Sequence, residues 1–164
     1  MADDKKEEVN RKLIRISADG NWIGIVHLKM VREERSLYGM ERFKNASEAA
    51  NIVQPLFDHA DREMMIVMSL DAKLTPIAVE VVAVGGIDSC VIDVRNIFKH
   101  AVICNASNII CFHNHPSGLP EPSADDKSIT RRIKSAGNLL GISLLDHIVI
   151  GDDSYYSLAE NKEL

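Results

Sequence analysis

Short apolar runs bounded by turn residues alternate with stretches of helical period along most of the chain. "EMMIVMSLD" (Glu63 to Asp71) reads as a strand and "PIAVEVVAVGG" (Pro76 to Gly86) as a second, with "DAKLT" as the turn of a hairpin. Upstream, "NWIGIVHLKMV" (Asn21 to Val31) is a further strand, and the polar "REERSLYGMERFKN" a loop. Ser47 can cap a helix through "EAANIVQPLFDHA", which Pro55 is expected to bend or divide. A short strand around "SCVIDV" leads into a helix near Asn96 to Asn105, where Ile97, Phe98, Ala101, Val102 and Ile103 form a broad apolar face. "NIICF" is a continuous apolar run of strand length, stopped by Pro116 and Gly118. A helix from Ala124 to Leu140 follows, closed by Gly141. "LLDHIVI" is the last clear strand, and "SYYSL" adds an edge piece. Strands and helices interleave, so the pattern predicts an α/β fold with a central mixed sheet flanked by helices. Residues 1–20, rich in mixed charge, read as a tail, and 21–164 as a single domain.

Composition narrows the function classes. The 164 residues are 46% hydrophobic and 26% charged, the balance of a globular domain able to bury a core. A net charge of -5 gives no bulk attraction to phosphates, and "RRIK" (Arg131 to Lys134) reads as a solvated helix face, so a nucleic-acid partner is not expected. Cys90, Cys104 and Cys111 form no C-x-x-C pair and read as small apolar residues in a reducing compartment. No apolar leader and no long apolar window is present, so a cytoplasmic location without membrane insertion is expected. An exposed edge of a mixed sheet leaves room for a homodimer.

The chemistry concentrates in "HNHPSGLPEPSADD", His113 to Asp126. Alternate side chains of an extended chain point the same way, so His113 and His115 project two imidazoles to one side. Ser123 with Asp126 three residues on has the form of a capping box, and Pro122 fits a helix start. The helix phase adds a second role. Steps of three or four from Asp126 pass through Ile129, Ile133, Ala136 and Leu140, the apolar stripe, whereas Asp125 lies in phase with Ser128, Arg132 and Ser135. An acid at the head of a buried stripe needs a cationic partner or several donors, and a metal shared with His113 and His115 is such a partner. Two histidines and one carboxylate leave a fourth tetrahedral position for water, whose pKa bound zinc lowers from about 15.7 toward about 7. Ser123 is placed to donate to a developing oxyanion, and the general base must come from elsewhere in the chain.

His113-x-His115, seven residues, Ser123, two residues and Asp126 together resemble the JAMM motif of MPN/JAB-domain metalloproteases. More narrowly, "HNHPSG", "PSADD", "TRRIKSAGNLLGISLLDHIVIGD" and "DREMMIVMSLD" resemble the RadC-like JAB-domain proteins of bacteria, over roughly Ala46 to Leu158. The resemblance implies a cytidine-deaminase-like mixed sheet, Zn2+ held by His113, His115 and Asp126, and Ser123 assisting the tetrahedral intermediate. It also implies a glutamate base ahead of the first core strand, which Glu63 matches; Glu80, mid-strand in "AVEVVAV", is the competing candidate. The chain departs from the family in carrying "VIDVRN" where a "VHPRE" type segment is usual, keeping only Arg95. No helix-hairpin-helix module is legible upstream.

The function expected from this set is zinc-dependent hydrolysis of an amide bond, with a peptide or protein conjugate as substrate. The zinc nucleobase deaminases use H-x-E with P-C-x-x-C, and no C-x-x-C exists here. A DNA-repair-associated role, which the RadC resemblance also carries, and an inactive MPN binding module are the alternatives. The charge argues against the first, and the complete ligand set against the second. His147 is expected in a hydrogen-bonded pair beside Asp146 rather than as a fourth ligand. Asn114 and Ser117 either hold hydrogen bonds behind the ligands or build the turn. His27, His59 and His100 have no ligand spacing, and Trp22 reads as a core aromatic.

Overall fold

A computed structural model describes residues 13–15, 22–24, 31, 43–58, 60–86 and 92–164. The chain divides into two compact units, Met1–Val31 and Arg32–Leu164. In the first, β1 (Leu13–Arg15) pairs antiparallel with β2 (Trp22–Gly24). Residues 21 and 25–30 of the expected strand, the side chains of this hairpin including Trp22, and His27, His59 and Cys90 lie outside the described residues, while Val31 is exposed and not in a strand.

The second unit is a five-stranded mixed sheet in the order β4-β3-β5-β6-β7, built from β3 (Met64–Leu70), β4 (Pro76–Val84), β5 (Asn108–Asn114), β6 (Ser143–Ile150) and β7 (Tyr155–Ser157). β3 and β4 form the expected hairpin, and β3 also pairs antiparallel with β5. β5 and β6 are the parallel pair, as a crossover through a helix requires. The expected mixed α/β architecture is thus the observed one. Strand alternation divides the core into two layers. Ile66, Met68, Leu70, Ile110, Phe112, Ile148 and Ile150 meet Ala49, Ala50, Val53 and Phe57 of α1 (Ala46–Phe57). Met65, Val67, Ile109, Cys111 and Leu144 meet Ile97, Phe98 and Ala101 of α2 (Val94–Ile103) and Ile133 of α3 (Ala124–Leu140).

Three local expectations are corrected. Asn45, not Ser47, caps α1: its side chain accepts from the Glu48 amide at 2.8 Å, while the Lys44 amide donates to Glu48 Oε2, so Ser47 sits inside the first turn. Pro55 does not divide α1, which continues to Phe57. Pro55 and Asn51, whose carbonyl loses its helical partner, are both exposed, so water can take the vacated place. The helix after "SCVIDV" starts earlier than Asn96, at Val94, because Asp93 caps it by accepting from the Arg95 amide at 2.9 Å. Of the expected strand before it, Ile92 and Asp93 are not strand and the described residues include no more than Val94 besides.

α3 matches its expected bounds, with Gly141 in the left-handed conformation (φ 71°) at its end. Its buried face is narrower than the apolar stripe suggests. Thr130, Ile133 and Gly137 are buried, Asp126, Ile129 and Ala136 are half-buried, and Leu140 is 50% exposed. Gly137 marks the close approach: a Cβ there would lie 2.4 Å from the Ile142 carbonyl oxygen.

Candidate metal centre

The site forms beyond the carboxyl end of β5, where that strand parts from its neighbours and α3 begins. Crevices at the carboxyl ends of parallel strands are where open α/β sheets bind ligands. His113 is the continuation of the Ile109, Cys111 face of β5 and is buried. The β5–β6 ladder continues one step through the His115 amide, which donates to the Ile150 carbonyl at 3.0 Å and thereby carries His115 past the strand end on the same side. The chain then reverses in a turn closed by the Gly118 amide on the His115 carbonyl, 2.9 Å. Gly118 has φ 77°, and a Cβ on it would lie 2.4 Å from Asp152 Oδ2, so no other residue type fits without strain. Ser117 builds this turn, accepting from the Leu119 amide at 3.4 Å.

Asp126 arrives from the other side on the first turn of α3. Ser123 and Asp126 form the expected capping box: Ser123 Oγ accepts from the Asp126 amide at 3.1 Å, and the Ser123 amide donates to Asp126 Oδ2 at 2.7 Å. The Ser123 hydroxyl itself donates to the same oxygen at 2.7 Å, so it is engaged by the carboxylate rather than free.

These elements bring His113, His115 and Asp126 together. His113 Nε2 stands 3.1 Å from His115 Nε2 and 3.1 Å from Asp126 Oδ1, and His115 Nε2 stands 3.4 Å from Asp126 Oδ2. Ligand atoms at about 2.05 Å from a tetrahedral ion are about 3.3 Å apart, so the spacing matches a zinc edge length to within a few tenths of an ångström. Among the described residues this is the one group of three acidic, cysteine or histidine side chains whose ligand atoms converge, all within 4.8 Å.

Proton counting shows why the cluster needs a cation. His115 Nδ1 lies 2.8 Å from the Leu119 carbonyl oxygen, which only accepts, so Nδ1 carries the hydrogen and neutral His115 turns the lone pair of Nε2 toward Asp126. Without a metal, a proton on His115 must fill that role. The Asp126 carboxylate accordingly raises the His115 pKa above its ordinary value, with the charge of Glu63 adding to the effect. Partial burial opposes ionisation of Asp126, but the two imidazoles outweigh it and hold the carboxyl far below the usual range.

Glu63 is half-buried and immediately precedes β3. The β3–β5 ladder ends at Met65 and His113, two residues after Glu63, and the charge of Glu63 acts on His115. Asn114 holds this segment: its Oδ1 accepts from the Met64 amide at 2.8 Å and its Nδ2 donates to the Arg62 carbonyl at 3.1 Å, one bond on each side of Glu63. Of the two roles open to Asn114, this is the one it fills. Glu80 is elsewhere. It is exposed mid-strand on β4 and faces His100, 3.9 Å away, whose other contacts are Ser69 Oγ and Cys104 Sγ.

The chain belongs to the RadC-like JAB domain family. That family's profile matches residues 43–163, from just before α1 to the last turn. The chain is 41% identical to a UPF0758 protein of Pasteurella multocida over 136 residues, 83% of this chain and 60% of that protein. It is 38% identical to one from Alkaliphilus oremlandii over 74% of its length and 52% of the relative's, and 43% identical to one from Thermotoga maritima over 65% and 48%. This RadC-like JAB domain thus spans about half the length of the curated relatives it matches. Among its described residues no helix is long and apolar enough to cross a membrane.

Two side chains behind the ligands have partners that the sequence did not show. His147 does not pair with Asp146 through its ring. Asp146 Oδ1 accepts from the His147 backbone amide at 2.7 Å and turns to the opposite face with Ser157 and the Ala159 amide, where burial raises its pKa. The His147 ring points inward, its Nε2 2.9 Å from His113 Nδ1 and its Nδ1 2.6 Å from Thr130 Oγ1. Full burial, and the neighbouring His113, lower its pKa well below the ordinary histidine value. Thr130 is the second. Its place one helical turn after Asp126 was the available signal, and no motif names it.

Proposed function

We propose that this RadC-like JAB domain is a zinc-dependent hydrolase that cleaves an amide bond, in a peptide or an isopeptide-linked conjugate. The observation that carries the reading is the convergence of His113 Nε2, His115 Nε2 and an Asp126 carboxylate, acceptors that repel one another unless a cation lies between them. A divalent zinc ion there supplies Lewis acidity and makes water a nucleophile near neutral pH.

The chain's own residues supply the rest. His113 and His115, at and just after the end of β5, and Asp126, on the first turn of α3, would hold the ion. Glu63, steadied on both sides by Asn114, takes the proton of the attacking water and passes it to the leaving amine. The Ser123 hydroxyl, now on Asp126 Oδ2, turns to the developing oxyanion; it exchanges one anionic acceptor for another, so the move costs little.

The test is the full chain loaded with zinc and offered a library of peptides and isopeptide conjugates. Glu63→Gln is expected to keep one zinc per chain and to lose cleavage by about 10² to 10⁴-fold. Cleavage that persists in the presence of a strong chelator, or in Glu63→Gln, overturns the reading. Tight, salt-sensitive duplex binding without hydrolysis would put the domain in the nucleic-acid class instead.

A further inference from the structure

We propose that Thr130 and His147 are positioning residues that set the tautomer of His113, forcing its Nε2 lone pair toward the metal. The inference rests on the metal reading above and deepens it. Three hydrogen bonds run in series through the interior: Thr130 Oγ1 to the Asp126 carbonyl oxygen at 2.6 Å, His147 Nδ1 to Thr130 Oγ1 at 2.6 Å, and His113 Nδ1 to His147 Nε2 at 2.9 Å.

Their direction follows from the terminal group. The Asp126 carbonyl can only accept, so the one hydroxyl proton of Thr130 goes to it. Thr130 Oγ1 therefore accepts from His147, and Nδ1 of His147 carries a hydrogen. His147 is fully buried and neither of its nitrogens faces a carboxylate, so the ring is neutral and its Nε2 is left with a lone pair. That lone pair accepts from His113 Nδ1–H, which leaves His113 Nε2 bare, 3.1 Å from His115 Nε2 and from Asp126 Oδ1. The orientation of one metal-facing nitrogen is thus dictated by the backbone carbonyl of the residue that supplies the carboxylate. His115 has its own, simpler device in the Leu119 carbonyl. The relay thus presents His113 Nε2 in the ligating form before any ion arrives, whereas His115 has still to give up the proton on its Nε2.

Reversing the series is the competing state. If Thr130 could not accept, the buried His147 would hold its hydrogen on Nε2 and donate to His113 Nδ1. His113 would then carry its hydrogen on Nε2, the atom the metal needs.

The experiment reads the tautomer directly in the metal-free full chain, by two-bond 1H–15N correlation of the imidazoles at mildly alkaline pH, with His113→Asn to assign the signals. Wild type is expected to show His113 as the Nδ1–H form. Thr130→Val, nearly the same size, is expected to convert it to the Nε2–H form and to weaken zinc binding in a chelator competition by about 10 to 100-fold. Thr130→Ser, which keeps the hydroxyl, should restore both. An Nε2–H tautomer in wild type, or a His113 pattern unchanged by Thr130→Val, overturns the proposal. A wild-type chain with the Nδ1–H tautomer that takes up no zinc would sink the metal reading and leave the relay standing.

Discussion

Zinc should bind this chain only when it is folded, because the ligand atoms come from the end of β5, the turn after it and the first turn of α3, and the sheet and helix core alone bring them within reach. Mass action then gives the size of the effect. A ligand that binds only the native state at a free concentration 100 times its Kd stabilises by about 2.7 kcal/mol. For a chain of this length each kcal/mol moves Tm by about 2–4 °C, so saturating zinc should raise Tm by about 5–11 °C. Asp126→Asn keeps an acceptor for the Ser123 amide, so the cap survives, but it removes the charge between the imidazoles. If that weakens binding 100-fold, the same zinc concentration stabilises by about 0.4 kcal/mol, or roughly 1 °C. Differential scanning calorimetry of metal-stripped protein, with and without zinc, measures both. Asp125→Asn, on the exposed face of the same helix turn, is the control and should behave as wild type. A wild-type-sized zinc shift in Asp126→Asn, with one zinc per chain by elemental analysis, would refute the ligand set.

Zinc affinity should fall with pH earlier than for an ordinary histidine site. A ligating His115 must lose its proton, and Asp126 raises its pKa, so protons compete already above the usual histidine range. The metal-free fold has the opposite window: the contribution of protonated His115 is fully present below the unfolded histidine pKa and disappears as pH rises through the raised folded value, which paired denaturation curves can follow. Gly118→Ala places a Cβ against Asp152 Oδ2 at a left-handed backbone angle, so about 1–2 kcal/mol of stability should be lost in urea titration, together with the Leu119 contact on His115. Asn114→Ala strips partners from the Met64 amide and the Arg62 carbonyl, costing about 1–3 kcal/mol; zinc stoichiometry should stay intact while cleavage falls, because Glu63 loses its support.

Much of this molecule follows from local pattern. Strands bounded by turns, the α3 cap at Ser123 and the Gly141 stop are decided within a few residues, and their bounds could be read from the chain. The H-x-H spacing and the phase of Asp126 are likewise local, since both follow from the geometry of one strand and one helix. Where local readings missed, a neighbour in sequence decided differently: Asn45 caps the helix in place of Ser47, accepting from the Glu48 amide while the Glu48 carboxylate accepts from the Lys44 amide. Pro55 stands on the exposed face of α1, and the helix runs through it undivided.

Contacts between segments were decided by the tertiary structure alone. The parallel pairing of β5 with β6 puts Cys111 opposite His147, and that register, not any spacing, delivers the His147 ring between His113 and Thr130. The antiparallel pairing of β3 with β5 likewise brings Asn114 to the backbone around Glu63, about fifty residues upstream, and leaves Glu80 over His100. The sequence by itself determined which elements form and which side chains can ligate, because both depend on short-range geometry. Which lone pairs face each other, and which carboxylate stands beside them, depends on how strands align across the sheet, and only the folded chain sets that alignment.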